Sequence, residues 1–294
     1  MRYFISSPFT SLLVSILTLV LFRAVSSTPV NNGKPILVII PAAWHSPWHY
    51  GTYIDQLRSA GYTSVSERLP SCNSPNPRDQ SVATDADFIR ARLLMPAIEA
   101  GREVVVIMHS YSGGPGSVAA KGLSVADRRA AGRSGGVLGL IFISAFVAHE
   151  GQTLVSGSGG QLAPWVIEHP NGQMSVKNAK EIFYNDVPDA LAIQAANRLK
   201  DEARSTAFTP CGAPAWADPY YSGRRAYARS TLDNAIPVAA QDAMLQASGV
   251  RWDVQTFATG HASFLSQPRQ LGWWTDRQIR KFQAVRKQVP ISTS

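Results

Sequence analysis

Apolar and polar positions alternate in blocks along this chain. Ile36 to Ile40 is an unbroken β-branched and leucine run ending at Pro41, the pattern of a strand buried on both faces. An amphipathic stretch from Tyr50 to Ala60 predicts a helix closed by Gly61, and Tyr62 to Leu69 reads as a second strand. The Pro/Ser/Asn-rich residues Pro70 to Asp79 form a loop, and Asp85 to Ala100 a helix stopped by Gly101. Val104 to Met108 and Val137 to Phe146 are two more buried strands. Sheet-like residues return at Arg225 to Ser230 and Trp252 to Phe257, before a last helix from about Gln270 to Val285. Strands alternating with helices of this length argue for a parallel sheet covered on both faces. The alternation fails between Val147 and about Ser222, where a Gly/Ser run, short helical pieces and the Pro/aromatic stretch Pro210 to Tyr221 suggest an inserted cap.

The first thirty residues stand apart from this pattern. A basic start (Met1-Arg2), an apolar run from Leu12 to Phe22 and the small-x-small tripeptide Ala24-Val25-Ser26 have the anatomy of a secretory signal peptide over residues 1–27. The run is well short of the ~20 residues a spanning helix needs, so an uncleaved anchor is the weaker reading; no other segment approaches that length, and no stable membrane span is expected after leader removal. Residues 28–294 are then expected as one secreted domain, and the Cys72/Cys211 pair, in an oxidising compartment, as a disulfide tying two loops. With no C-x-x-C there is no zinc knuckle, and the His45-x-x-x-His49 pair has no third ligand nearby in sequence, so no metal or cofactor is expected. The charged fraction of 16% and seven Trp exclude a disordered chain. The excess of 28 Lys+Arg over 20 Asp+Glu is densest at Arg277, Arg280, Lys281, Arg286 and Lys287, a spacing that reads as the wet face of the last helix rather than a nucleic-acid patch.

Candidate chemistry concentrates where the strand Val104 to Met108 runs into His109-Ser110-Tyr111-Ser112-Gly113-Gly114 and a helix. This is the context of a nucleophile elbow, a sharp turn that exposes Ser110 at the carboxyl end of a sheet. The usual G-x-S-x-G has glycine at both flanks; here Met108 precedes and Ser112 follows. A nucleophilic serine needs a base and an orienting acid, which in this chain order lie downstream. His261, in Thr259-Gly260-His261-Ala262 just after a strand, and Asp233, in Asp233-Asn234-Ala235-Ile236-Pro237 after another, occupy those places. His109 adjoins Ser110 in sequence, so its side chain points away. Donors for a developing oxyanion are expected from the backbone N–H of Tyr111 and, in the loop after the first strand, of Ala43.

These segments together resemble the α/β-hydrolase superfamily, and within it the plant-type methylesterase and hydroxynitrile lyase group with its fungal and bacterial serine esterase relatives. The resemblance spans about residues 35 to 285. The group's first loop, H-G-A-x-H-G-x-W, is matched at Ala43, His45 and Trp48, with Pro41 and Ala42 in place of His-Gly. Its elbow G-H-S-x-G-G is matched at His109, Ser110 and Gly113, and its D-x-x-I-P acid segment at Asp233 to Pro237. The resemblance implies an α/β-hydrolase fold, a mostly parallel sheet flanked by helices with a cap at about 147–222. The lysine after the catalytic histidine and the first-loop threonine of the lyases are Ala262 and Ala42 here, which weighs against cyanohydrin chemistry.

The expected function is a secreted serine hydrolase acting on a carboxylic ester or lactone of a small apolar molecule. Trp44, Trp165 and Trp216, with other cap aromatics, are candidates for the pocket wall. The alternatives are a receptor-like binding protein with a vestigial triad, or an acyl-transfer or lyase member of the same fold. Oligomeric state is not legible in the sequence.

Overall fold

The computed structural model describes residues 33–156 and 159–288; the expected leader over residues 1–27 lies outside them. Six strands form one parallel sheet in the order β2-β1-β3-β4-β8-β9, where β1 is Ile36–Ile40, β2 Ser64–Val65, β3 Glu103–His109, β4 Gly136–Ile143, β8 Arg225–Ser230 and β9 Asp253–Phe257. The three central strands are buried along almost their whole length, as their continuous apolar runs require. The register pairs Ile40 with Met108 and Met108 with Phe142, so the carboxyl ends of β1, β3 and β4 lie side by side. Tyr62 to Leu69 departs from expectation: only Ser64 and Val65 pair with β1, at the sheet edge.

Helices Gly51–Ser59 and Pro268–Gln288 pack against each other through Tyr53, whose hydroxyl is 2.7 Å from that of Thr275. The expected helix 85–100 runs from Val82 to Glu99, but residues Ile89–Leu94 widen into a π-turn just ahead of Pro96. Proline has no N–H and cannot continue an ordinary i→i−4 ladder, so a local change of winding there is expected. Arg277, Arg280 and Lys281 lie on the exposed face of the last helix.

Between β4 and β8 the chain leaves the sheet and builds short helices and a small antiparallel sheet of β5 (Val166–Glu168), β6 (Gln173–Val176) and β7 (Glu202–Ala203). Among the described residues, no helix is long and apolar enough to cross a membrane. The disulfide expectation is overturned: Cys72 and Cys211 are both free and buried. Cys72 bridges to Glu202 and points its thiol at the His45 carbonyl, whereas Cys211 packs against Gly114 behind the elbow. Burial pushes both thiols up, Cys211 to about 11, so both are held as protonated core groups.

Candidate active site

Every expected catalytic side chain sits just beyond the carboxyl end of a strand: Ser110 after β3, Asp233 after β8 and His261 after β9. This is where open α/β sheets place their ligands. Ser110 has φ of +54°, a conformation that costs a non-glycine residue of order 1–3 kcal/mol unless its surroundings enforce it. Here they do. The Phe146 N–H donates to the Ser110 carbonyl at 3.0 Å, tying the turn to the chain leaving β4. Gly113 fits under the same segment, since a Cβ there would stand 2.2 Å from the Phe146 carbonyl oxygen.

The two departures from the usual elbow have physical explanations. Ser112 is fully buried; its Oγ accepts from the His109 N–H and lies 2.9 Å from the Ile40 carbonyl, stapling the elbow to the end of β1. Opposite Met108 the following helix carries a glycine, Gly116. A Cβ on Gly116 would stand 2.7 Å from Met108 Cγ and 2.8 Å from its sulfur. Strand and helix still pass closely, with the glycine on the opposite partner.

His261 and Asp233 form a buried pair. Nδ1 of His261 lies 2.8 Å from Asp233 Oδ2, and Nε2 is buried with no hydrogen-bond partner among the described residues. Asp233 Oδ1 accepts from the N–H groups of Ala235 and Ile236 at 2.8 and 2.9 Å, which fixes the carboxylate plane. Gln241 went unnoticed in the sequence: wholly buried, it clamps both backbone groups of Ser230 and donates to the Ile236 carbonyl and, at 3.3 Å, to Asp233 Oδ2. A glutamine one turn into a helix carries no signal of that role. His109 faces away from Ser110. Its Nε2–H donates to the His261 carbonyl at 3.1 Å, while Nδ1 accepts from the Tyr50 hydroxyl at 2.8 Å.

The loop after β1 is satisfied almost atom by atom. Ala42 N–H donates to the Tyr50 oxygen, the Ala42 carbonyl accepts from His45 N–H, and the Ala43 carbonyl lies 2.8 Å from His45 Nδ1. Trp44 N–H donates to Glu202 Oε2 at 3.0 Å, and the Trp44 carbonyl accepts from Lys200 N–H. Among the described residues, no acceptor takes the Ala43 N–H, the group expected to face an oxyanion. Burial holds His45 and His109 well below the usual imidazole range, so both act as neutral hydrogen-bonding groups.

A cavity opens between sheet and cap. Ala43, Trp44, Ser110 and Tyr111 form its floor, and Leu154, Leu162, Trp165, Met174, Phe183 and Ile236 are among its walls. Among the described residues, no charged side chain lines it. Trp44 and Trp165 meet edge to face within it at 5.8 Å. Trp216 does not line it: it is buried between His149 and Trp252 with its indole N–H on the Ala148 carbonyl, a core role.

The model of the alpha/beta hydrolase family matches residues 37–271. The chain belongs to that family. It is 30% identical over 243 residues to the alpha/beta hydrolase nvfD of Aspergillus novofumigatus, spanning 80% of this chain and 92% of that protein. A pyrethroid hydrolase from Sphingobium faniae superposes with a TM-score of 0.65 at 17% identity, covering 84% of this chain and 97% of its own. An Arabidopsis methylesterase superposes at 0.62 and 15%, covering 83% and 99%. The alpha/beta hydrolase sheet order and the placing of Ser110, Asp233 and His261 beyond strand ends are thus set in a fold shared with esterase-type proteins.

Two buried acids also went unnoticed in the sequence. Asp85 accepts from Ser71 N–H, Ser71 Oγ and the Tyr111 hydroxyl, and burial raises it to about 6; on the sequence it reads as a helix-start charge. Glu202 is raised to about 8 by burial and by the nearby Asp85.

Proposed function

We propose that this chain is a serine carboxylesterase that cleaves an ester or lactone of an uncharged, apolar small molecule. The carrying observation is the buried His261–Asp233 pair, which leaves Nε2 unpartnered at the same sheet end as the strained Ser110. In this mechanism His261 Nε2 takes the Ser110 proton as Oγ attacks the carbonyl carbon. Asp233 fixes the tautomer and stabilises the imidazolium. The N–H groups of Ala43 and Tyr111 receive the oxyanion. His261 then protonates the leaving alcohol, and a water activated by the same nitrogen releases the acid from Ser110. The uncharged cavity wall supports an apolar substrate, because a buried carboxylate or ammonium would find no counter-ion there.

Export through the leader over residues 1–27 is part of the proposal, and N-terminal sequencing of secreted protein would locate the cleavage. The catalytic reading is tested by fluorophosphonate labelling and a p-nitrophenyl ester panel graded by acyl length, with a lactone set beside it. Wild type should label and turn over, and Ser110→Ala should do neither. A folded wild type that fails to label refutes it.

A further inference from the structure

We infer that Glu202, delivered by the cap strand β7, is a positioning residue for the oxyanion site: it holds the Ala43–Trp44 peptide so that the Ala43 N–H faces the reacting carbonyl. This rests on the esterase reading above. Trp44 has φ of +65°, a conformation that a bulky side chain adopts only when its neighbours impose it. The peptide joining Ala43 to Trp44 is pinned at both ends. Its carbonyl is held by His45 Nδ1 and its N–H by Glu202 Oε2, over a sequence separation of 158. Without the carboxyl, that buried N–H has no acceptor, and the favourable response is a shift of the Ala43–Trp44 segment, which displaces the Ala43 N–H in the preceding peptide.

The second oxyanion residue is tethered in the same way. The Tyr111 hydroxyl donates to Asp85 at 2.8 Å, and the Ser71 hydroxyl, 2.6 Å from Asp85, also faces Glu202. Two carboxyls thus stand under the two donor residues in a space without water access, and both cannot be ionised there without repulsion. The groups facing Glu202 are Asp85 from the helix Val82–Phe88, Cys72 across the bridge and Tyr111 from the elbow, with Arg68 and Lys200 near Cys72. Burial holds the Cys72 thiol and the Tyr111 phenol protonated, leaving the two carboxyls to titrate between pH 5 and 9. Burial raises both carboxyls, and the charge of Asp85 raises Glu202 further, so the pair keeps a proton to higher pH than a free carboxyl would. Raising the pH through about 8 ionises Glu202 beside Asp85 and loosens the loop.

The test compares wild type, Glu202→Gln and Glu202→Leu on one p-nitrophenyl ester from pH 6 to 10, with circular dichroism and fluorophosphonate labelling. Glutamine copies the protonated acid: its carbonyl can accept from Trp44 N–H and its amide can donate to the Ser71–Asp85 side. Glu202→Gln should stay within about threefold of wild type at pH 7 and lose the fall in kcat that wild type shows near pH 8. Glu202→Leu should lose roughly 10- to 100-fold in kcat with KM within about threefold, as expected of a misplaced oxyanion donor. A folded Glu202→Leu with kcat within threefold of wild type overturns the inference, as does Glu202→Gln retaining the alkaline fall. If the leucine variant does not fold, the glutamine pH profile alone decides. Wild-type turnover and labelling with unaffected variants defeats only this inference, whereas a wild type that does neither defeats the esterase reading and this inference with it.

Discussion

If the elbow tolerates Met108 because its small residue has moved to Gly116, the two positions must be energetically coupled. A Cβ on Gly116 would stand 2.7 to 2.9 Å from Met108 Cγ, Met108 Sδ and Ile40 Cδ1, roughly 1 Å inside the ~3.5–4.0 Å optimum for carbon contacts. Overpacking of this kind costs about 1–3 kcal/mol, offset by the roughly 1 kcal/mol that alanine gains over glycine inside the helix Gly113–Ala120. Met108→Ala, at a fully buried site, costs about 2–5 kcal/mol by itself. In the double variant the methionine that would clash is gone, so only the 2.9 Å contact to Ile40 remains. The double should therefore be more stable than the sum of the singles by about 1–2 kcal/mol; helix propensity cancels in the cycle. Urea unfolding of the four proteins measures this directly, and the corresponding melting shift is about 2–4 °C per kcal/mol for a domain of this size. The rate of fluorophosphonate labelling should follow: slowed in Gly116→Ala, where the helix is pushed off β3, and partly restored in the double. Stabilities that add within about 0.5 kcal/mol would show that Gly116 and Met108 are independent and that the elbow tolerates Met108 for another reason.

Asp233→Asn should leave KM nearly unchanged and lower kcat by about 10⁴-fold, the size expected when the histidine is held in the wrong tautomer; ester kinetics check it. Stability between pH 6 and 9 should fall as pH rises. Glu202 is raised to about 8 in the folded chain from an ordinary carboxyl value, so the native state holds a proton that the unfolded chain has released, and the stability this gives is lost as pH climbs through about 8. Thermal melts at half-unit pH steps should show a slope of that sign in wild type and a flatter one in Glu202→Gln. Dithiothreitol should leave the melting temperature unchanged within about 1 °C, because Cys72 and Cys211 are free thiols; a bridge would be worth about 2–5 kcal/mol and its reduction would be plain in the melt.

The parts of the molecule legible from sequence are those fixed by local pattern. Strands β1, β3 and β4 are buried on both faces and so write continuous apolar runs, and a serine between such a run and a glycine-rich helix start has few alternative contexts. Asp233 and His261 each follow a segment whose existence as a strand the residue pattern marks. Positions whose meaning comes from a distant partner were not legible. Glu202 is one of two adjacent acids among cap fragments until β7 carries it to Trp44, and Gln241 is an ordinary helix residue until it reaches Ser230 and Asp233. Aromaticity alone does not separate a cavity wall from a core, so Trp216 looks like a pocket residue in sequence, and edge pairing needs a neighbour the sequence does not mark, so Tyr62 to Leu69 looks like a longer strand than the two residues that pair. The disulfide was inferred from the expected compartment, whereas packing places one thiol beside the first loop and the other behind the elbow.

The cap in this arrangement does more than roof a cavity. It supplies Trp165, Met174 and Phe183 as walls, but also Glu202 to the Trp44 N–H, the Met174 carbonyl to the Trp44 indole, the Lys200 N–H to the Trp44 carbonyl, and Tyr184 to His45 Nε2. Four cap residues therefore hold two consecutive residues of the loop that carries the Ala43 donor. A loop so held cannot keep its geometry if the cap is displaced, because the buried N–H and indole groups would lose their acceptors at about 1–3 kcal/mol each. On the proposed esterase function, the position of the cap and the geometry of the Ala43 donor are then coupled. Substitutions that loosen the cap at a distance from Ser110 should accordingly lower kcat, where a cap acting only as a pocket wall would change KM.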